Sequence, residues 1–131
     1  MRDGDILRGI RGATTVEHDT ADEIYPATEE LMAEILQRNG LDTRDIVSVF
    51  FTCTQDLVSA FPAVAARRLG LQDVPLICSQ EIPVPGSLGM CIRVLLHAYV
   101  PRARAVRHIY LREAKSLRTD LVEADEAATP S

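Results

Sequence analysis

Apolar and polar residues alternate in short stretches through most of this chain, and only one long segment switches to helical spacing. Residues 6–16 (Ile6 to Val16) alternate as a first strand, with Leu7, Gly9, Arg11 and Ala13 on one face. Arg11 therefore has small residues two positions away on either side, which leaves room for a ligand to approach its guanidinium. Thr20–Glu23 has the form of a capping box, and Ile24, Leu31, Met32, Ile35 and Leu36 then follow helical spacing to Arg38, with Asn39 and Gly40 as a stop. Pro26 conflicts with that helix: it removes a backbone donor and crowds the preceding turn, so a kink or a distorted first turn is expected there. Asp42–Asp45 reads as a short turn. Ile46–Thr54 reads as a second strand, Gln55–Ala60 as a loop, and Pro62–Leu69 as a short helix that Gly70 ends. Further strands are expected at Val74–Ser79, Met90–Val100 and Val106–Leu111, with a rigid turn at Pro83–Gly86. The Met90–Val100 segment is long and apolar enough to be central in its sheet.

Five strands, one long helix and short helical turns make an α+β domain with a mixed sheet. It spans residues 1–120, and an acidic, aperiodic tail follows at 121–131, expected to be mobile. One helix covers one face of such a sheet. The other face also carries apolar side chains, from segments such as VSVFFTC and CIRVLLHAY, so oligomerisation is the economical way to cover it.

Composition narrows the functional classes. A net charge of −5 argues against general nucleic-acid binding, which needs a basic face. Thirteen of the 14 basic residues are arginines, Lys115 being the lone lysine, so only arginines in particular settings are informative. The three cysteines, Cys53, Cys78 and Cys91, are odd in number and form no CxxC pair, which supports neither a disulfide framework nor a metal cage. No apolar stretch resembles a signal peptide or a membrane span. The expectation is a reduced, soluble, cytoplasmic protein without membrane or nucleic-acid partners.

Candidate chemistry centres on Arg93, a permanent cation inside the apolar run Cys91–Val100. A guanidinium does not escape burial by losing its proton, so a buried Arg93 needs a partner. Arg11 is a second such cation, and Glu81 is a carboxylate in an apolar setting. Two fixed cations and one acid suit a small anionic molecule that carries a hydroxyl. Each residue alone has a plainer reading. Arg11 fits an exposed edge, Arg93 and Glu81 fit a structural ion pair, Tyr110 fits a core or rim, and Cys78 fits a small buried hydrophobe. His18, His97 and His108 stand in no recognisable triad pattern, and Gly9–Gly12 is not a dinucleotide fingerprint. What the set suits is stabilisation of charge that develops in a transition state, by donors that do not themselves react.

The segments RGIRGATTVEHDT (8–20), ATEELMAEILQRNG (27–40), AFPAVAARRLG (60–70), VPLICSQEIPVPGSLGMCIRVLLH (74–97) and RHIYLREAKSLRTDL (107–121) together resemble the AroH-type monofunctional chorismate mutases. The resemblance implies a trimeric pseudo-α/β-barrel with sites at subunit interfaces. It also implies conversion of chorismate to prephenate by a [3,3] sigmatropic rearrangement in Phe and Tyr biosynthesis, with no cofactor and no metal. It assigns Arg93 to the ether oxygen of the substrate, Arg11 to a carboxylate, Glu81 to the ring hydroxyl and Tyr110 to the side-chain carboxylate. Ile77, Cys78, Ser79 and Gln80 line the pocket with Glu81, and Phe61, Arg67, Leu117 and Arg118 reach it, some from an adjacent subunit. One departure is visible. Many family members carry a lysine two residues after the Phe-Pro pair, where this chain has Val64, and Arg67 or Arg68 is placed to compensate. A trimeric imine-handling protein or a metabolite-binding protein of similar fold is the alternative; the first does not account for Glu81, Tyr110 and Arg11 together, and the second is told apart by tight binding of a bicyclic transition-state mimic without turnover.

Overall fold

In the computed structural model, residues 3–117 are described, and they form a single five-stranded sheet with helices packed on one face. In chain order the elements are β1 (Asp5–Thr15), α1 (Ala21–Arg38), β2 (Ile46–Cys53), α2 (Pro62–Arg68), β3 (Leu76–Gln80), β4 (Cys91–Pro101) and β5 (Ile109–Tyr110). Short 3₁₀ turns lie at Thr43–Asp45 and Arg112–Leu117. The strand order is β3-β2-β4-β1-β5. β4 is central, as its length and apolar content predict, and runs antiparallel to both β1 and β2. β3 is parallel to β2, and β5 to β1. Parallel neighbours need a crossover between them, and α2 supplies the one from β2 to β3.

The alternation of β4 sorts its side chains. Ile92, Val94, Leu96, Ala98 and Val100 are buried, while Arg93, Leu95, His97 and Tyr99 are at least partly exposed. The buried row meets α1, whose Ile24, Leu31, Met32 and Ile35 join Ile10, Val49 and Phe51 in the main core. Gly12 lets helix and sheet come this close. A Cβ there would lie 2.9 Å from Ile35 Cδ1, 3.1 Å from Leu31 Cδ1 and 3.0 Å from the Ile109 carbonyl oxygen. The carbonyl cannot swing aside as a side chain does, so Gly12→Ala is expected to push β5 outward and cost about 1–3 kcal/mol. Urea denaturation measures that cost.

Several local expectations are refined. Thr20 caps α1, its hydroxyl accepting from the Glu23 N–H at 3.3 Å, but the capping box is only half formed. The Glu23 carboxylate instead accepts from the N–H groups of Glu17 and His18, because the Thr20 N–H is already spent on the His18 carbonyl. α1 runs through Pro26 without a break in its assignment. Pro26 and Asp22, whose carbonyl loses a partner, both lie on the exposed side of the first turns. The expected fifth strand, Val106–Leu111, contracts to Ile109–Tyr110. Asn39 explains the contraction: its side chain accepts from the Arg107 N–H at 2.7 Å and donates to the Arg107 carbonyl at 2.9 Å, withdrawing that residue from strand pairing. The expected tail, 121–131, lies outside the described residues. No helix among the described residues is long and apolar enough to cross a membrane.

Opposite α1, the sheet presents Leu7, Phe50, Ile77 and Leu95, each more than a third exposed. This is the uncovered apolar face anticipated from the strand sequences, and it surrounds the residues of chemical interest.

Candidate active site

Arg93 stands on β4 directly across from Thr52 of β2 and Ala13 of β1. With Arg11, Gly12, Phe50, Leu95, Tyr110 and Leu117 they line a cavity of about 350 Å³ on the open face. Ala13, the small residue on this face between the two arginines, keeps the floor low. Tyr110 is buried against Ala13, Cys91 and Ala114, and Leu88 and Leu117 pack on that cluster. The turn carrying Leu117 is held by Arg112, in the left-handed region at φ 54°, whose guanidinium donates to the Thr15 carbonyl at 3.0 Å.

Glu81 follows β3, its N–H donating to the Cys53 carbonyl at 2.8 Å; it lines a separate cavity of about 200 Å³ with Asp56 and Leu88 and meets the first one through Arg93. Its Oε2 lies 3.1 Å from Arg93 Nε. The Arg93 side chain is 42% exposed and that of Glu81 only 17%. Arg93 is thus not buried as a whole: its Nε is sealed against the sheet while the rest of the guanidinium opens to the cavity. Nε also makes no hydrogen bond, since its N–H is not aligned on the carboxylate despite the short separation. Glu81 Oε2 instead accepts from the Thr52 hydroxyl at 2.7 Å. Arg11 has no ion-pair partner in contact among the described residues, and its backbone N–H donates to His108 Nδ1 at 2.9 Å. A backbone N–H only donates, so His108 Nδ1 carries no proton in this arrangement.

The other expected site residues gather elsewhere in the chain. Cys78 faces the α1 side of the sheet, packed on the main core. With Phe61, Ser79, Gln80 and Tyr25 it lines a third cavity of about 450 Å³. Phe61 is 69% exposed there. Ile77 projects from the open face and touches none of these cavities. Arg67 is exposed at the end of α2, whereas Arg68 stacks on the Tyr25 ring at 4.6 Å and lies 3.9 Å from Glu29. Arg118 lies outside the described residues. One chain therefore brings together Arg11, Arg93, Glu81, Tyr110 and Leu117, and keeps Phe61, Cys78, Ser79 and Gln80 as a separate group.

Two carboxylates missed in the sequence hold the loops of these groups. Asp19 Oδ1 accepts from the Val58 and Ser59 N–H groups at 3.1 and 3.0 Å, fixing the approach to Phe61. Asp56 accepts from the Met90 N–H at 2.9 Å, fixing the entry to β4 just before Arg93. Neither has a sequence signal, since each acts on a loop distant along the chain. Thr52 was missed for a different reason: its position across from Arg93 follows from strand register alone. The buried thiols are poor nucleophiles. Burial pushes Cys53 up to about 12, and burial, partly offset by the nearby Arg93 charge, pushes Cys91 up to about 11. Among the described residues, no group of three or more His, Cys, Asp and Glu side chains is disposed to hold a metal ion.

The comparisons with known proteins fall on one family. The family model described as chorismate mutase type I matches residues 7–121. The chain is 52% identical over 122 residues to the chorismate mutase AroH of Thermus thermophilus, covering 91% of this chain and 99% of that protein. It is 44% identical over 119 residues to the chorismate mutase AroH of Bacillus subtilis, covering 88% and 93%. Among solved structures, a chorismate mutase from Clostridium thermocellum superposes with a TM-score of 0.78 at 48% identity, covering 83% of this chain and 98% of that one. With a match that spans the sheet, these cavities and the Arg11, Glu81 and Arg93 positions, this chain belongs to the type I chorismate mutase family.

Proposed function

We propose that the protein converts chorismate to prephenate in the cavity between Arg11 and Arg93. The reaction is an isomerisation: the ether C–O bond breaks, a C–C bond forms, and no atom enters or leaves. The observation that carries this reading is the Arg93–Glu81 pair, 3.1 Å apart, whose arginine lines a cavity that also holds Arg11. The substrate is a dianion. Arg11 has no ion-pair partner among the described residues and takes one carboxylate, while Tyr110 contacts the other. Glu81 accepts from the ring hydroxyl and so sets which way the ring lies. Holding the substrate in its compact form aligns the two carbons that must join. Negative charge then grows on the ether oxygen as the C–O bond lengthens, and the cavity-facing nitrogens of Arg93 meet it. A contact that strengthens along the reaction lowers the barrier, whereas one equally strong in the ground state does not.

The second group completes the site from a neighbouring copy. Phe61, Cys78, Ser79 and Gln80 cannot close over Arg93 in the same chain, because they line a separate cavity. The exposed apolar side chains of the open face favour burial against that neighbour. A ring of three copies places one group against the other at three equivalent interfaces. Arg67 supplies positive charge at the pocket mouth in place of the lysine absent at Val64, since Arg68 is engaged by Tyr25 and Glu29.

Two variants test this arrangement. Arg93→Ala disables one group. Phe61→Asp puts a carboxylate in the other, where it repels a dianion. Each alone is expected to be nearly inactive. Unfolded together and refolded, they are expected to regain about a quarter of the wild-type activity, the share of interfaces that pair two intact halves in a randomly assembled ring. No gain over the separate variants contradicts a site shared between copies.

A further inference from the structure

We infer that Thr52 is a positioning residue whose hydroxyl keeps Glu81 from closing onto Arg93, so that the guanidinium stays available to the substrate. The inference rests on the functional reading above and assigns a role to a residue outside the set expected from sequence.

The geometry of one carboxylate oxygen carries it. Glu81 Oε2 has two neighbours, the Thr52 hydroxyl at 2.7 Å and Arg93 Nε at 3.1 Å. Only the hydroxyl makes a hydrogen bond. The Arg93 Nε–H is buried and close but unaligned, so it is left without a bond. A buried N–H beside a carboxylate gains from turning onto it, and an arginine and a carboxylate left to themselves settle into parallel hydrogen bonds. Something opposes that here, and Thr52 is placed to do so. It stands directly across the β2–β4 ladder from Arg93, at the distance where paired side chains touch. Its single proton fixes the carboxylate from the β2 side. The cost of the unbonded Nε–H is borne in the resting protein.

The consequence concerns catalysis. In a fully formed fork, the guanidinium would spend two of its five donors on Glu81, and Glu81 would turn its lone pairs away from the ring hydroxyl. Held by Thr52, Glu81 keeps Oε1 for the substrate and Arg93 keeps its cavity-facing donors. The hydroxyl therefore acts on substrate only through Glu81 and Arg93.

Two substitutions separate this role from a packing role. Thr52→Val keeps the branched shape and removes the proton. Thr52→Ser keeps the proton and removes a methyl group. Thr52→Val is expected to lower kcat by about ten- to a hundredfold, the range for losing a hydrogen bond to a charged group, with a smaller rise in KM. Thr52→Ser is expected to stay within about threefold of wild type. A packing role predicts the reverse order. Wild-type kcat in Thr52→Val, or equal losses in both variants, would overturn the inference, as would loss of a cooperative melting transition in Thr52→Val alone. A crystal structure of Thr52→Val is expected to show Arg93 Nε hydrogen-bonded to Glu81, and an unchanged pair would contradict it. Wild-type protein assayed alongside keeps the two readings apart. If it rearranges chorismate and Thr52→Val matches it, only the role of Thr52 falls. If it does not, the functional reading falls.

Discussion

Arg93→Ala is expected to lower kcat by about a hundred- to a thousandfold or more, the typical loss when one donor aimed at developing charge is removed. KM should move much less, because in the proposed site Arg11 and Tyr110 still hold the carboxylates. The fold should survive. Arg93 is 42% exposed, and half-exposed ion pairs contribute about 1 kcal/mol or less. Glu81 keeps its bond from Thr52 after the change, so no carboxylate is stranded. Steady-state kinetics with a parallel thermal melt separates the cases. A large fall in kcat with an intact melt supports the assignment. Near-wild-type turnover refutes it, and a lost melt would assign Arg93 to structure.

Leu31→Ala has the largest expected effect on stability. Leu31 is fully buried at the centre of α1, over Gly12, in the cluster that joins the helix to β1, β2 and β4. Gly12 cannot fill the void and the sheet beneath is hydrogen-bonded on both sides, so little collapse is available. The expected cost is about 3 kcal/mol, within the range for buried leucines, or a fall in melting temperature of roughly 10 °C. Denaturant titration at matched protein concentration measures it, since assembly would make stability concentration-dependent. At a temperature where the variant is folded, kcat should remain near wild type, because Leu31 lies on the opposite side of the sheet from Arg93. A cost below about 1 kcal/mol would show that α1 is not the main cover of this face.

How far the sequence reveals these features depends on whether a residue's role is local. β4 is legible because alternation along one segment separates Ile92, Val94 and Leu96 from Arg93, Leu95 and His97. α1 is legible through its spacing and Thr20, and α2 through Pro62 at its start. β5 is not, because its end is set by Asn39, nearly seventy residues earlier. The pairing of Arg93 with Glu81 is anticipated from their chemistry, but the partial exposure of Arg93 is not. Exposure depends on how far the cavity cuts into the open face. Thr52 is invisible for a related reason: a threonine in a strand is ordinary, and only the β2–β4 register puts it against the ion pair. Cys78 shows the limit from the other side. Its strand neighbours place it near Glu81 in the sequence, yet alternation turns it to the opposite face.

The most direct test of the central claim is the ultraviolet absorbance of chorismate in the presence of the purified, EDTA-treated protein, with the product identified by mass and by its acid-catalysed decay. Rapid loss of chorismate with prephenate as the sole product is the predicted result. No acceleration over the uncatalysed rate, or turnover that returns only when a metal ion is restored, would contradict a site that works through the fixed charges of Arg11 and Arg93.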